Sequence, residues 1–355
     1  MLTMKNFNTY PEKVKNILIV RQHHQLGDML CALPMFAAIR KKFSNAYITL
    51  IASPISYEVL NNKANPYLDK VINYNKQNVH TLLDFFNKFL SRKYDIGIVP
   101  STASISRTSH YINYISGAKV RVGVESIEKK VNKSANLLTV KEKFFWDEQK
   151  LHQTERNLDI ARLIGCDLTP EEKKNVRIVL DKNEKTFADK YYKEKFPDES
   201  KPVFAFHAGA AKVQNRWSRD NFVKLILLLN EKYKPYFLLT SGPIDGEINH
   251  YIMRQIKNHS VHCEILEKTP IRKVGSVISR AALYVSNDTG TMHVASYVNA
   301  NVIGLFGPTN GYEWGPINPK GTYIQSITNS IDDITVNDVF NFINNHIGRS
   351  KQHDG

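Results

Sequence analysis

The stretch Val285 to His293, VSNDTGTMH, combines residue types that can hold a phosphate group. It places Asp288, Thr289 and Gly290 in a turn between a strand-like run, AALYVS, and a helix-like run, TMHVASYV. Such a turn presents unused backbone N–H groups and the positive end of the helix dipole to an anion. The same residue types also serve ordinary helix capping. The turn alone therefore leaves a diphosphate site and simple capping equally open.

A carboxylate follows the first strand-like run of the chain. ILIVR leads into a loop that ends at Gly27 and Asp28 and opens a helix. Ligands of open α/β sheets bind at the carboxyl edge of the strands, so Asp28 is well placed for chemistry. The alternative is an N-cap carboxylate, which stabilises a helix by about 1 kcal/mol. The loop lacks the GxGxxG pattern, which removes the main support for a dehydrogenase.

The elements that position these residues alternate between strand and helix in both halves, which indicates βαβ units around two parallel sheets. The predicted strands are 17–21, 46–52, 70–74, 94–100 and 119–124, then 202–207, 236–241, 263–266, 282–286 and 301–306. The predicted helices are 28–43, 55–63, 79–92 and 107–116, then 219–233, 245–258, 270–280, 291–299 and 334–347. We expect an α/β protein of two Rossmann-like domains, and a frayed tail over 348–355.

A chain of 355 residues exceeds the usual size of a single core, so we expect domains over 1–180 and 181–355, with a linker near 166–202. The net charge is uneven: 27 Lys+Arg stand against 16 Asp+Glu in the first half, and 21 against 18 in the second. The basic first half suggests a polyanionic partner or an anionic membrane surface. A lysine-rich solvated surface is the plainer alternative. No nucleic-acid-binding motif accompanies the charge, so nucleic acid is not expected.

Other features of the sequence indicate the cellular compartment. The apolar runs are strand-sized, far shorter than a membrane span. The leader MLTMKNFNTYPEKVKN lacks the apolar core of a signal peptide. Three widely spaced cysteines, Cys31, Cys166 and Cys263, fit neither a disulfide framework nor a metal cluster. We expect a cytoplasmic protein.

Four motifs, taken together and in order, resemble glycosyltransferase family 9, the heptosyltransferases of lipopolysaccharide core assembly. They are LIVRQHHQLGDMLCALPMFAAIRKKF, HAGAAKVQNRWSRDNFVKLI, the Gly242-Pro243 turn after FLLTS, and VSNDTGTMHVASYVNANVIGLFGPTN. The resemblance runs from about Asn16 to about Trp314. It implies a GT-B fold, in which two Rossmann-like domains face each other across a central cleft.

The resemblance also implies partners. The carboxy-terminal domain would hold a nucleotide sugar, typically ADP-heptose, and the amino-terminal domain would receive a lipid-linked anionic glycan. Neither a metal nor a resident cofactor is implied. The enzyme would work in peripheral contact with the cytoplasmic face of the inner membrane, which agrees with the basic first half.

Roles for individual residues follow from the same resemblance. Asp28 matches the base that deprotonates the acceptor hydroxyl for inverting attack. Asp288, Thr289 and Gly290 match the diphosphate loop, with Asp288 orienting the turn or binding a sugar hydroxyl rather than touching phosphate. His293 matches a residue that contacts the sugar or phosphate, or else it is an ordinary hydrogen-bonded helix histidine.

Further donor-binding candidates are Gly209 and Ala210, whose backbone can approach the donor, and Glu247, near a position that binds ribose hydroxyls. Family members commonly carry a lysine two positions before Trp217, but this chain has Asn215. We expect that Lys212 or Arg216 replaces it, that the donor differs, or that activity is reduced. Trp217 itself is expected to pack rather than bind.

The loop before Gly27 supplies the acceptor-binding candidates, His23, His24 and Gln25. His152 and Arg156 are expected on one face of a mainly structural helix. Two other functions remain open: a nucleotide-sugar epimerase on the same scaffold, and a degenerate, non-catalytic nucleotide-sugar-binding protein.

Overall fold

The computed structural model describes residues 11–22, 25–75, 85–87, 89–146, 151–242 and 245–353. The chain forms two compact units, Met1–Val179 and Leu180–Gly355. Each unit contains one sheet whose central strands are short, largely apolar and buried, which is typical of parallel sheets covered by helices.

The first sheet has the strand order β3-β2-β1-β4-β5, and β5 pairs in addition with β6 and β7. All of its pairings are parallel except that of β5 with β6. Its strands are β1 (Asn16–Arg21), β2 (Tyr47–Ala52), β3 (Lys70–Asn73), β4 (Ile96–Ile98), β5 (Val120–Ile127), β6 (Lys130–Val131) and β7 (Val140–Phe144).

The helices of this unit are α1 (Leu26–Leu30), α2 (Leu33–Lys42), α3 (Pro54–Leu60), α4 (helical residues 85–87 and 89–90), α5 (Arg107–Ile115), α6 (Gln153–Arg162) and α7 (Pro170–Lys174). The single helix predicted over 28–43 is divided in two. Pro34 lies in the first turn of α2, a position where proline is tolerated but through which a continuous helix would not pass without a break.

The second sheet has the order β10-β9-β8-β11-β12-β13, and every pairing is parallel. The strands are β8 (Val203–His207), β9 (Tyr236–Thr240), β10 (Cys263–Leu266), β11 (Leu283–Asn287), β12 (Val302–Phe306) and β13 (Thr322–Gln325). The helices are α8 (Lys182–Lys195), α9 (Arg219–Tyr233), α10 (Gly246–Ile256), α11 (Ile271–Ile278), α12 (Gly290–Tyr297), α13 (Gly311–Trp314) and α14 (Val336–His353).

In both sheets the strand order reverses between the first and fourth strands. The pairs are β1 with β4 and β8 with β11. At such a switch point the connections leave in opposite directions, which opens a crevice at the carboxyl edge where ligands of α/β proteins bind. Asp28 follows β1 and Asp288 follows β11, so both lie at this edge of their own sheet.

Other features also differ from the sequence prediction. Strand β7 was not predicted because VKEKF is a charged edge strand, with three exposed residues after the buried Val140. Strand β13 was missed because it is a short, half-buried edge strand. The tail is helical rather than frayed as far as His353, and α14 begins at the predicted cap, where Thr335 Oγ1 accepts from Asp338 N at 3.1 Å.

Candidate functional site

Asp28 lies in the first turn of α1, immediately beyond the switch point of the first sheet. Its side chain is 12% exposed, and Oδ1 lies 3.7 Å from Nη2 of Arg21. This separation is an ion pair rather than a hydrogen bond. The carboxylate is thus partly shielded from water beside a fixed positive charge.

Arg21, the last residue of β1, was not identified from the sequence. Its Nη1 donates to Pro100 O at 2.7 Å and to Asn157 Oδ1 at 3.0 Å, so it joins the ends of β1 and β4 to helix α6. Burial lowers the pKa of Arg21, and the negative charge of Asp28 opposes that shift. In the sequence, Arg21 is only a charged residue at the end of the apolar run ILIVR, and nothing in that pattern predicts that it is buried.

The acceptor-binding candidates lie in the same loop. Gln25 is the exposed N-cap of α1, and its side chain makes no capping hydrogen bond. His23 and His24 lie outside the described residues. His152 is the N-cap of α6 rather than a member of the helical face, and its Nδ1 accepts from Thr154 N at 3.1 Å. Arg156 is buried, with Nε donating to Leu151 O at 3.3 Å, so the main role of α6 is structural.

In the second unit, the turn between β11 and α12 contains Asp288, Thr289 and Gly290. Thr289 is the N-cap and has extended backbone, but its side chain does not cap the helix. Instead Thr289 Oγ1 lies 2.8 Å from Thr291 Oγ1. The first N–H groups of α12 are therefore not satisfied by their own cap side chain, as an anion-binding helix start requires.

Asn287 ties this turn to the neighbouring strand. Its Nδ2 donates to Ala208 O at 2.9 Å and to Gly209 O at 3.2 Å, and its Oδ1 accepts from Trp217 N at 3.1 Å. One fully buried amide thus spans the switch point between β8 and β11. Sequence inspection passed over Asn287 because Asn before Asp-Thr-Gly reads as a turn residue.

Asn215 is the partner of Asp288. Its Nδ2 donates to Asp288 Oδ2 at 2.8 Å and to Thr309 Oγ1 at 3.2 Å. The side chain is buried, and none of the described residues donates a hydrogen bond to Asn215 Oδ1. A buried amide oxygen without a donor is costly, which makes it a natural acceptor for a bound ligand or water.

The two cations near Asn215 are differently placed. Arg216 is half-buried, and its Nε donates to Ala210 O at 2.6 Å, which fixes the loop after β8. Lys212 is exposed at the start of the 3-10 turn Val213–Asn215. Trp217 is buried and donates from Nε1 to Ile334 O at 2.7 Å, so it is a packing anchor, as expected.

Gly209 is required by its surroundings. A Cβ atom at position 209 would lie 1.9 Å from Asp245 Oδ1. Asp245 is buried and accepts from Gly242 N at 2.7 Å, and its Oδ2 lies 3.5 Å from Nε2 of His207. Backbone of the β8 loop therefore approaches a buried carboxylate that also holds the β9 loop.

His207 ends β8 within a buried polar network. Its Nδ1 lies 3.0 Å from Thr240 Oγ1, which in turn lies 3.2 Å from the hydroxyl of Tyr284. Burial lowers the pKa of His207, and the carboxylate of Asp245 opposes the shift. His207 is therefore neutral at neutral pH, and the loops above it rest on hydrogen bonds.

The remaining donor candidates lie at the same edge of this sheet. Glu247 is exposed in the first turn of α10, after β9. His293 is buried in α12, with its ring centroid 6.4 Å from that of Trp314. Pro243 lies outside the described residues. The structure thus brings Asp288, Asn215 and the β8 loop into contact, whereas ligand contacts of Glu247 and His293 stay predictions.

Two kinds of feature are absent from the described residues. No group of three or more His, Cys, Asp or Glu side chains is arranged to hold a metal ion in this part of the chain. Among the same residues, no helix is both long and apolar enough to traverse a lipid bilayer.

Two parallel α/β domains, each with polar residues gathered at the carboxyl edge of its switch point, are the architecture of the GT-B fold. The comparisons with known proteins agree. Residues 83–341 match the model of glycosyltransferase family 9 (heptosyltransferase), and the chain belongs to this family. The predicted fold class, family and enzyme class are thereby confirmed.

Individual relatives extend the match. The chain is 22% identical over 294 residues to lipooligosaccharide heptosyltransferase 2 of Campylobacter jejuni, covering 82% of this chain and 81% of that one. It is 28% identical to the protein of the same name from Haemophilus influenzae over 131 residues, which span only 37% of that relative. The solved structure of E. coli ADP-heptose lps heptosyltransferase II aligns with a TM-score of 0.76 at 19% identity, covering 95% of this chain and 99% of that one.

Proposed function

We propose that this glycosyltransferase transfers heptose from ADP-heptose, with inversion, to a lipopolysaccharide core or a related cell-surface glycan. The observation that carries the proposal is the carboxylate of Asp28, held 3.7 Å from Arg21 at the switch point of the first sheet. A base must be ionised before it meets the acceptor hydroxyl, and a buried cation beside it favours that form. The relatives named above supply the choice of heptose and ADP.

In the proposed reaction Asp28 removes the proton from the acceptor hydroxyl as its oxygen attacks the anomeric carbon. The bond from that carbon to the diphosphate breaks on the opposite side, so the configuration inverts. The leaving nucleoside diphosphate takes the electron pair. N–H groups of the turn at Asp288, Thr289 and Gly290, with the amino end of α12, stabilise the growing negative charge.

The donor site would rely on neutral groups more than on cations. Asn215 donates to Asp288 and keeps that carboxylate turned toward the amide, which reduces repulsion between Asp288 and a phosphate. We assign Asn215 Oδ1 to a hydroxyl of the donor. Arg216 remains the cation for phosphate because its fixed Nε holds the terminal nitrogens in place, and exposed Lys212 would assist.

The other proposed contacts with donor and acceptor come from residues in or next to the loops at the carboxyl edges of the sheets. Backbone at Gly209 and Ala210 would approach the donor, Glu247 would accept from ribose hydroxyls, and His293 would contact the sugar or phosphate. Gln25, together with His23 and His24, would line the acceptor side. The acceptor is lipid-linked and anionic, so we place the enzyme in the cytoplasm, in peripheral contact with the inner membrane, without a metal or other cofactor.

The test begins with donor identity. Thermal unfolding is followed with ADP-heptose and with other ADP-, UDP-, GDP- and CMP-sugars. The true donor should raise Tm, and the rise should increase with donor concentration. ADP-heptose is then incubated with and without a heptose-deficient core extract. We expect ADP and a new glycoside only when the acceptor is present. An epimer from the donor alone would indicate an epimerase, and tight binding without turnover would indicate a binding protein.

A further inference from the structure

Helices α4 and α5 of the first unit expose apolar side chains to solvent. Both pack on one face of the sheet, where Phe85, Phe89 and Ile112 join a single buried cluster. On the outer side of these helices lie five large side chains that are each about half exposed: Phe86 45%, Leu90 58%, Tyr111 54%, Tyr114 51% and Ile115 56%. We name these five residues the α4–α5 face. Groups of neighbouring exposed apolar side chains mark interaction surfaces, whereas single ones are ordinary.

The spacing within α5 shows that the exposure is organised. Arg107, Tyr111, Tyr114 and Ile115 are separated by four, three and one positions, so they share one face of the helix. The opposite face is buried through Ile112 and the hydrogen-bonded His110. The outward face therefore combines one arginine with three large aromatic or aliphatic side chains.

Basic residues are frequent in the segment that contains and follows α5. Segment 107–133 contains six Lys or Arg and two Glu, and Arg107, Lys119, Lys129, Lys130 and Lys133 are exposed. Two contacts join the segment to α5: Asn132 Nδ2 lies 2.9 Å from His110 Nε2, and the Arg121 guanidinium lies 5.4 Å from the centroid of the Tyr114 ring. The basic segment therefore packs directly against α5.

This surface begins beside the candidate catalytic edge. Ser106 caps α5, and its Oγ accepts from Gln22 Nε2 at 3.1 Å. Gln22 directly follows Arg21, the residue paired with Asp28. The amino end of α5 is thereby hydrogen-bonded to the residue that follows the ion-paired Arg21.

We infer that the α4–α5 face and its surrounding cations dock the enzyme on an anionic phospholipid bilayer. Tyrosine and aliphatic side chains partition into the headgroup boundary, and each nearby Lys or Arg adds attraction to anionic lipid. A second copy of the chain is a poorer occupant because two surfaces with this excess of cations repel each other. The inference rests on the proposed function, since a lipid-linked acceptor reaches Asp28 from a membrane.

The experiment measures co-sedimentation of the full chain with vesicles of phosphatidylglycerol mixed with phosphatidylcholine, without donor or acceptor. Tyr111→Ser/Tyr114→Ser/Ile115→Ser should reduce binding at least about tenfold. The control Tyr312→Ser/Ile327→Ser removes side chains that are 50% and 97% exposed in the second unit and should leave binding unchanged. Unchanged thermal unfolding establishes that the variants fold.

A charge-reversal pair tests the electrostatic part. Lys129→Glu/Lys130→Glu should lower binding by at least tenfold, since each cation near an anionic surface contributes roughly fivefold. Lys182→Glu/Lys185→Glu, at exposed positions of α8, should have little effect. Binding should also fall with added salt and be weak on vesicles of phosphatidylcholine alone.

Three results would overturn the inference: binding by the triple variant equal to that of the wild type, equal binding to neutral vesicles, or self-association by light scattering that the triple variant abolishes. The last result would make the face a dimer interface. Vesicle binding needs no turnover, so a chain that transfers no sugar can still confirm the surface. Conversely, the triple variant should retain full activity on a lipid-free acceptor if the proposed function holds.

Discussion

At each switch point a buried side chain links two neighbouring loops of the same unit, and these two side chains differ in charge. In the first unit the cation Arg21 donates to Pro100 O beyond β4, and in the second the neutral amide Asn287 donates to Ala208 and Gly209 beyond β8. Both residues are the last of their strand. Two diverging loops are therefore linked by a charged side chain in the first unit and by a neutral one in the second.

The difference matches the chemistry proposed for each unit. A buried cation stabilises the carboxylate of Asp28, which must be ionised to act as a base. A neutral amide near the turn proposed to bind the donor holds the loops without a permanent charge, so the charges there are those of Asp288 and Arg216, beside the backbone dipoles. Four changes to the protein break or sharpen this contrast, in order of expected effect.

The largest effect should come from Asp28→Asn, which keeps the shape of the side chain but cannot accept a proton. General-base catalysis contributes about a hundredfold to ten-thousandfold, so we expect kcat to fall about a thousandfold. The dissociation constant of the donor should stay within about twofold, as measured by calorimetry. Glu171→Gln is the control, because that side chain is 76% exposed. Near-normal turnover of Asp28→Asn would remove Asp28 from its assigned role.

Arg21→Met should reduce kcat by about ten- to a hundredfold, because the carboxylate loses its charge partner. The pH profile of kcat/KM should shift so that the base ionises at higher pH, which a purely structural role would not produce. Unfolding in urea should also show a loss of about 1–3 kcal/mol, since Pro100 O and Asn157 Oδ1 lose their donor. Arg21→Lys should restore part of the profile, and Arg254→Met, at an exposed position, should change neither quantity. An unshifted profile would argue that Arg21 only supports the fold.

In the second unit, Asn215→Ala should weaken donor binding about tenfold, because Asp288 loses the amide and the ligand loses Oδ1. Asn215→Asp should weaken it further by placing two carboxylates together. Gln214→Ala, the exposed neighbour in the same 3-10 turn, is the matched control. If Asn215→Ala binds the donor like the wild type, the neutral site must be organised by other groups.

The smallest effect concerns pH and His207. Burial keeps its pKa in the folded state below the ordinary 6.5, so below pH 6.5 the unfolded chain binds more protons than the folded one. The free energy of unfolding should therefore decrease as pH falls below 6.5, by up to about 1.4 kcal/mol per pH unit for this group, until the folded pKa is reached. His207→Gln should have a shallower slope than the wild type in urea unfolding, whereas His259→Gln, at an exposed position, should not. Equal slopes would show that protonation of His207 is not coupled to folding.

Local patterns predicted the strands that run through the sheet interiors, because buried parallel strands are continuous β-branched runs between amphipathic segments. Asp28 and the turn at Asp288 could be predicted from the sequence for the same reason, because each follows such a run. Arg21, Asn287 and Asp245 could not be predicted, because their roles depend on partners from distant parts of the sequence, such as Asn157 for Arg21. Edge strands β7 and β13 were not predicted, because their pairing with a neighbouring strand, rather than their composition, makes them strands.

The missing side chain at position 209 sets a limit on how this protein can change. Asp245 occupies the space that a methyl group at Gly209 would need, and it also fixes Gly242 N and faces His207. A single added carbon would push away the carboxylate and so disconnect the loops after β8 and β9 at once. Position 209 therefore has no room for a side chain, whereas an exposed neighbour of Asn215 such as Gln214 can vary without such a clash.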